Sequence, residues 1–153
     1  MTQLVRPQLT PRTPLAMPLY GATPFQAVAR FFLKYAVFSG RASRSEFWWW
    51  VLAQTVVFNV LRFIQWADTT DSGLMGPVAA VASFLVWAMP FVFLVPNIAL
   101  MVRRLHDVNE SGWFGLFALI PVLGLIPVLF MNAKKSDPRG QRFDVGGASA
   151  QQQ

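Results

Sequence analysis

From Pro77 to Val102, twenty-six consecutive residues carry no charged side chain, and the run stops at Arg103 and Arg104. Two more apolar runs flank it: Phe47 to Trp66, whose only charge is Arg62, and Trp113 to Met131, which has none. As a helix the central run would extend about 39 Å, against about 30 Å of bilayer hydrocarbon. The pattern predicts an all-α membrane protein with three hydrophobic helical segments, at 47–66, 77–102 and 113–131. Pro121, Gly124 and Pro127 interrupt the third, which is therefore kinked or re-entrant. A kinked third crossing is favoured, because broken backbone facing lipid is tolerated only under protein cover. A re-entrant hairpin is the alternative, and it would keep the basic C-terminal tail on the cytoplasmic side.

Before the first span the periodicity is that of a short amphipathic helix over 24–38. Thr23 can cap it and Pro24 suits its first position. Phe25, Val28, Phe32 and Tyr35 recur at helical spacing opposite Gln26, Arg30 and Lys34, and Gly40 closes the helix. It is too short to cross, and its basic face fits one lying in the cytoplasmic interface; packing against the spans is the alternative. Residues 1–22, broken by Pro7, Pro11, Pro14 and Pro18, read as a disordered cytoplasmic tail without a signal peptide. Residues 133–153 read as a flexible basic tail, so the membrane domain is 23–132.

Ser43 and Glu46 have capping-box spacing at the start of the first span, and Asp107 and Glu110 repeat that spacing before the third. Trp48, Trp49, Trp50 and Trp113 suit one headgroup layer and Trp66 the other. Arg62 lies near the far edge of the first span, where it can snorkel toward Asp68 or Asp71. In the central span Pro90 and Pro96 imply a bend, and Asn97, polar at depth, faces a neighbouring helix.

Composition narrows the class. With 54% hydrophobic and 13% charged residues the chain is too apolar for an ordinary soluble domain. The net charge of +6 sits beside the spans rather than in a patch interleaved with aromatics, so nucleic acid is not the expected partner. Residues 1–46 hold six basic residues against Glu46 alone, whereas the loop after the first span has only Asp68 and Asp71. The N-terminus and the Arg103 loop are therefore expected in the cytoplasm. Cysteine is absent and His106 is the only histidine, so no metal site is expected. No motif for a cofactor or for a hydrolytic nucleophile is present, and the chain reads as non-enzymatic.

The stretch Phe38-Ser39-Gly40-Arg41-Ala42-Ser43-Arg44-Ser45-Glu46-Phe47-Trp48, then Arg103-Arg104-Leu105-His106-Asp107, then Ser111-Gly112-Trp113, resembles the bacterial inner-membrane family called domain of unknown function 805. The resemblance runs from about Phe25 to Phe143 and includes Leu119 to Gly124. It implies a small multi-pass protein of the bacterial inner membrane and supplies no reaction. The chain departs from the family's pattern after the last span. The family's usual small-residue and proline segment is replaced by Asp137 to Phe143, preceded by Lys134 and Lys135.

Arg41, Arg44, Arg103, Arg104 and His106 are the candidate site. They converge on the cytoplasmic headgroup layer from two distant parts of the chain. Setting topology is the plainer use of four arginines. The sharper one rests on the planar guanidinium fork, which matches phosphate and suits a headgroup of anionic lipid or a phosphorylated lipid intermediate, or else a membrane partner protein. Two alternatives come from other classes. One is a transporter or channel subunit, a homo-oligomer lined by Pro90, Pro96, Asn97 and the Pro121 to Pro127 break. The other is a lipid-modifying enzyme using His106 with Asp107.

Overall fold

The computed structural model describes residues 15, 17–70, 73–114 and 133–144. Three α-helices form the body: α1 (Pro24–Leu33), α2 (Arg44–Ala67) and α3 (Pro77–Asp107). A 3-10 turn follows at Pro138–Phe143. Among the described residues there are no strands, only an isolated antiparallel bridge between Thr69 and Met75 in the α2–α3 loop.

α2 and α3 are long and apolar enough to cross a membrane, with mean hydropathy of 1.3 and 2.4 in their most apolar windows. Only 11% and 17% of those windows is buried against protein, so most of their apolar surface is left for another solvent. A soluble core helix would be buried there; a lipid-facing helix would not. The third expected segment, 113–131, lies beyond Phe114 outside the described residues.

Local chemistry sets the helix starts. The Thr23 hydroxyl accepts from the Gln26 amide while the Gln26 side chain accepts from Thr23, and Pro24 occupies the first turn. Ser43 and Glu46 form the same reciprocal box on α2, with the Ser43 amide donating to Glu46 Oε2 at 2.9 Å. The N-cap of α3 is Gly76, which has no side chain to offer. Asp68 reaches across the loop instead, and its Oδ2 accepts from the Ala79 amide at 2.7 Å. A Cβ on Gly76 would lie 2.3 Å from that carboxylate, so the close approach requires glycine.

Several expectations are corrected. α1 ends at Leu33 rather than at 38, and Gly40, with φ of +79°, lies in the connection to α2, where its amide donates to the Phe143 carbonyl. α1 also turns its basic residues inward: Arg30 and Lys34 are buried, while Phe25 is 88% exposed. Ion pairing with Glu46 on α2 outweighs the pull of water on Arg30. Trp50 is a core residue and not part of an interfacial belt, since it stacks on Phe31 at 3.4 Å between ring centroids. Arg62 bonds Gln65 and not Asp68, whose carboxylate is occupied by the α3 cap; Asp71 lies outside the described residues.

Both tails are tied down where they are described. The Leu19 carbonyl accepts from Ser43, the Ala22 amide donates to Ser45, and Tyr20 reaches Asp107, so 17–22 is a packed segment rather than a free tail. Residues 133–144 are held likewise. The Asp137 amide donates to the Asp107 carbonyl at 2.8 Å, and Gly140 is buried against the end of α3. These bonds exist because α3 runs five residues past its apolar stretch and offers backbone and side-chain partners there.

Candidate functional site

The site forms where the start of α2, the end of α3 and the two tail segments meet. Two clusters of charge lie there, and their balance differs.

The first is built on Asp107. This carboxylate is the last residue of α3 and fully buried. It accepts from the Tyr20 hydroxyl at 2.8 Å, from Arg104 Nη1 at 2.5 Å and from the Ser136 hydroxyl, with Arg41 Nη1 at 3.6 Å. Arg41 is in turn clasped by Asp144 through two bonds of 2.8 and 2.6 Å. That bidentate contact with Asp144 raises the Arg41 pKa above its ordinary value despite burial. Burial and the neighbouring Asp107 carboxylate raise the Tyr20 hydroxyl pKa. Arg104, 0% exposed, also donates to the Lys134 carbonyl. Two guanidinium groups meet two carboxylates, so this cluster is neutral in sum. Its role is to fasten residues 17–22 and 133–144 to the end of α3.

The second cluster is built on Glu46. Its Oε2 completes the α2 capping box while its Oε1 pairs with Arg30 Nε at 2.5 Å. Arg103, 2% exposed, donates from Nε to the Ala99 carbonyl at 3.1 Å, and its Nη2 has no partner among the described residues. Lys34, 5% exposed, lies one turn after Arg30. Burial first, then repulsion by Arg103 and Arg30, lowers the Lys34 pKa from 10.5 to about 8. Three cations therefore share one carboxylate, and the interior keeps an excess of two positive charges.

The expected site residues are distributed unequally. Arg41 and Arg104 join at Asp107, Arg103 belongs to the Glu46 cluster, and Arg44 is exposed. His106 stands beside them, its Nδ1 3.1 Å from the Gly40 carbonyl and its ring stacked on Phe143 at 4.1 Å. Asp107 and Glu110 do not cap a following helix: Asp107 ends α3, and Glu110 faces Lys134 at 3.6 Å. Nor does Asp107 orient His106, because Tyr20, Arg104 and Ser136 take its oxygens. Asn97 is spent on α2, accepting from the Trp50 indole at 2.7 Å.

Sequence reasoning missed Lys34 and Arg30 as interior residues, along with Tyr20, Ser136 and Asp144. One signal was available: between residues 30 and 46 the only acid is Glu46, so any packing of that stretch must leave cations in excess. Among the described residues no group of acidic or histidine side chains could hold a metal.

Residues 35–145 match the family model described as "Protein of unknown function (DUF805)". The chain is 29% identical over 113 residues to the inner membrane protein YhaH of Escherichia coli strain K12, an alignment that covers 71% of this chain and 85% of that relative. It is 32% identical over 109 residues to the inner membrane protein YhaI of the same strain, covering 71% and 84%. No solved structure matches the chain significantly.

Proposed function

Because the chain belongs to the DUF805 family, and its relatives YhaH and YhaI are inner membrane proteins, we propose that it is a non-catalytic inner-membrane module that binds anionic lipid at its cytoplasmic end. The observation that carries this reading is charge asymmetry along the helix pair. At the Arg103 end the described residues hold ten basic side chains, from Arg30 to Arg142, against the acids Glu46, Asp107, Glu110, Asp137 and Asp144. At the other end Arg62 stands with Asp68. An excess of about five positive charges at one leaflet fits the negative surface of a bacterial cytoplasmic leaflet, where each basic residue contributes about 1 kcal/mol.

The same reading gives α2 and α3 as two crossings. The flanks of the third hydrophobic segment support an even number. Gly112 lies against Val102 and His106, and Lys134 is bonded to Arg104 and faces Glu110, so the chain leaves and rejoins the same end of α3. The basic tail then stays with the other cations, as the charge rule favours. Single-cysteine labelling tests this, since the chain has no cysteine of its own. Thr70→Cys is expected to react with an impermeant maleimide from the periplasm, and Gln3→Cys and Gln141→Cys only after permeabilisation. Periplasmic labelling at Gln141 would restore three crossings.

A further inference from the structure

Five of the ten basic side chains at this end are ion-paired with an acid. The interior between α1 and α3 is not balanced in this way. After Glu46 has paired with Arg30 and capped α2, the Lys34 ammonium and one arm of the Arg103 guanidinium are left unmatched. Both residues are more than nine-tenths buried; Arg103 Nη2 is enclosed without a partner, and no hydrogen bond or ion pair joins the Lys34 ammonium to a described residue. An enclosed cation without a counter-charge is strongly unfavourable, and repulsion between Arg103 and Lys34 adds to the cost. A hydrophobic pair of similar volume would be better tolerated, and an anion supplied from outside would offset the cost.

We propose that the interior between Lys34 and Arg103 is a binding site for one phosphate group, reached beneath α1. Phosphate suits the donors: the Lys34 ammonium at the end of α1 has three hydrogens and Arg103 on α3 has a free guanidinium arm, and a tetrahedral anion presents several acceptor oxygens at once. The excess charge of two matches a phosphate monoester better than a diester. The surroundings favour a lipid as its carrier, because Phe25, Phe32 and Leu33 are exposed on α1 and offer an apolar surface for acyl chains. A soluble phosphate ester presents the same headgroup chemistry. This site rests on the anionic-lipid reading and makes it specific, narrowing Arg41, Arg44, Arg103, Arg104 and His106 to Arg103 and adding Lys34.

The experiment is thermal unfolding of the purified full chain in a neutral detergent, with dioleoyl phosphatidic acid, dioleoyl phosphatidylglycerol, dioleoyl phosphatidylcholine or inorganic phosphate added. Phosphatidic acid is expected to stabilise most and phosphatidylcholine least. Lys34→Met is expected to raise the midpoint without lipid, by removing an unpaired charge, and to weaken the phosphatidic acid response about tenfold in lipid concentration. Arg103→Met is the second variant and is expected to do the same. Stabilisation by inorganic phosphate alone would support the site with a soluble ester as its source. An equal response to both anionic lipids, unchanged in Lys34→Met and Arg103→Met, would overturn this site while leaving the charged-face reading intact. No response to any anion would overturn both.

Discussion

The Tyr35 hydroxyl donates to the Val92 carbonyl, the acceptor that Pro96 leaves without a helical donor. Proline has no amide hydrogen, so a helix that contains one strands the carbonyl four residues earlier, and in lipid no water is present to fill the gap. A side chain fifty-seven positions away closes it here. The bond also holds the end of the α1 region against α3, beside the Phe31, Trp50 and Phe93 rings.

Tyr35→Phe is therefore expected to destabilise the protein by about 1–3 kcal/mol, the cost of leaving the exposed Val92 carbonyl unpaired where lipid replaces water. In a Pro96→Ala background the amide gained at that position restores the helical bond, and the Tyr35→Phe cost should shrink. A double-mutant cycle by detergent unfolding measures the difference. Equal costs in both backgrounds would mean that Tyr35 acts by packing.

Glu46→Gln separates two roles of one carboxylate. Glutamine still accepts from the Ser43 amide, so the capping box survives. The Arg30 ion pair does not, and Arg30, Lys34 and Arg103 are left with no buried counter-charge. A loss of about 3–5 kcal/mol is expected from reversible unfolding. A loss under about 1 kcal/mol would show that the pair is solvated in practice.

Lys34 gives stability a pH dependence. Its folded pKa is lowered to about 8 by burial and by Arg103 and Arg30, with Glu46 and Asp144 pulling the other way. Below about 8 both folded and unfolded chains hold the proton, and the folded one bears its full cost. Between about 8 and 10.5 the unfolded chain binds more protons, so stability rises with pH, and above 10.5 it levels. Unfolding midpoints across this range should rise for the lipid-free protein and rise less for Lys34→Met. Bound phosphate would keep the proton on Lys34 and flatten the rise.

Gly140 packs so closely on the end of α3 that a Cβ would lie 2.4 Å from the His106 carbonyl. Gly140→Ala is expected to lift the 133–144 segment from Asp107 and Arg104 while sparing α2 and α3. Limited proteolysis should then cut near Arg139 and Arg142 several times faster. An unchanged cleavage rate would mean that the Asp107–Asp137 backbone bond and the Arg41–Asp144 pair hold the segment without that contact.

What is legible in the sequence is local. The Thr23–Pro24 start and the Ser43–Glu46 box depend on neighbours three residues apart, and their geometry follows from spacing alone. The two long apolar helices follow from uninterrupted runs. Spacing misassigns Asp107 because the end of an apolar run is not the end of a helix: α3 continues through Arg103 and Arg104, whose charges lie among residues distant in sequence. Periodicity misplaces Arg30 and Lys34 for a related reason, since it marks the polar side of α1 but not the Glu46 that lies under it. The arginines are recognisable as a cluster, but the split between a neutral set and a set with excess charge is not. That split is decided by Asp107 and Asp144, which lie far from Arg41 in sequence.

Native mass spectrometry of the protein extracted from its own membrane in neutral detergent tests the central claim most directly. The expected result is one retained phosphate-bearing anionic lipid per chain, surviving collisional activation in the unaltered protein and lost from Lys34→Met. Bare protein, or zwitterionic and anionic lipids retained in the proportions of the membrane, would contradict the claim and return these cations to the setting of topology.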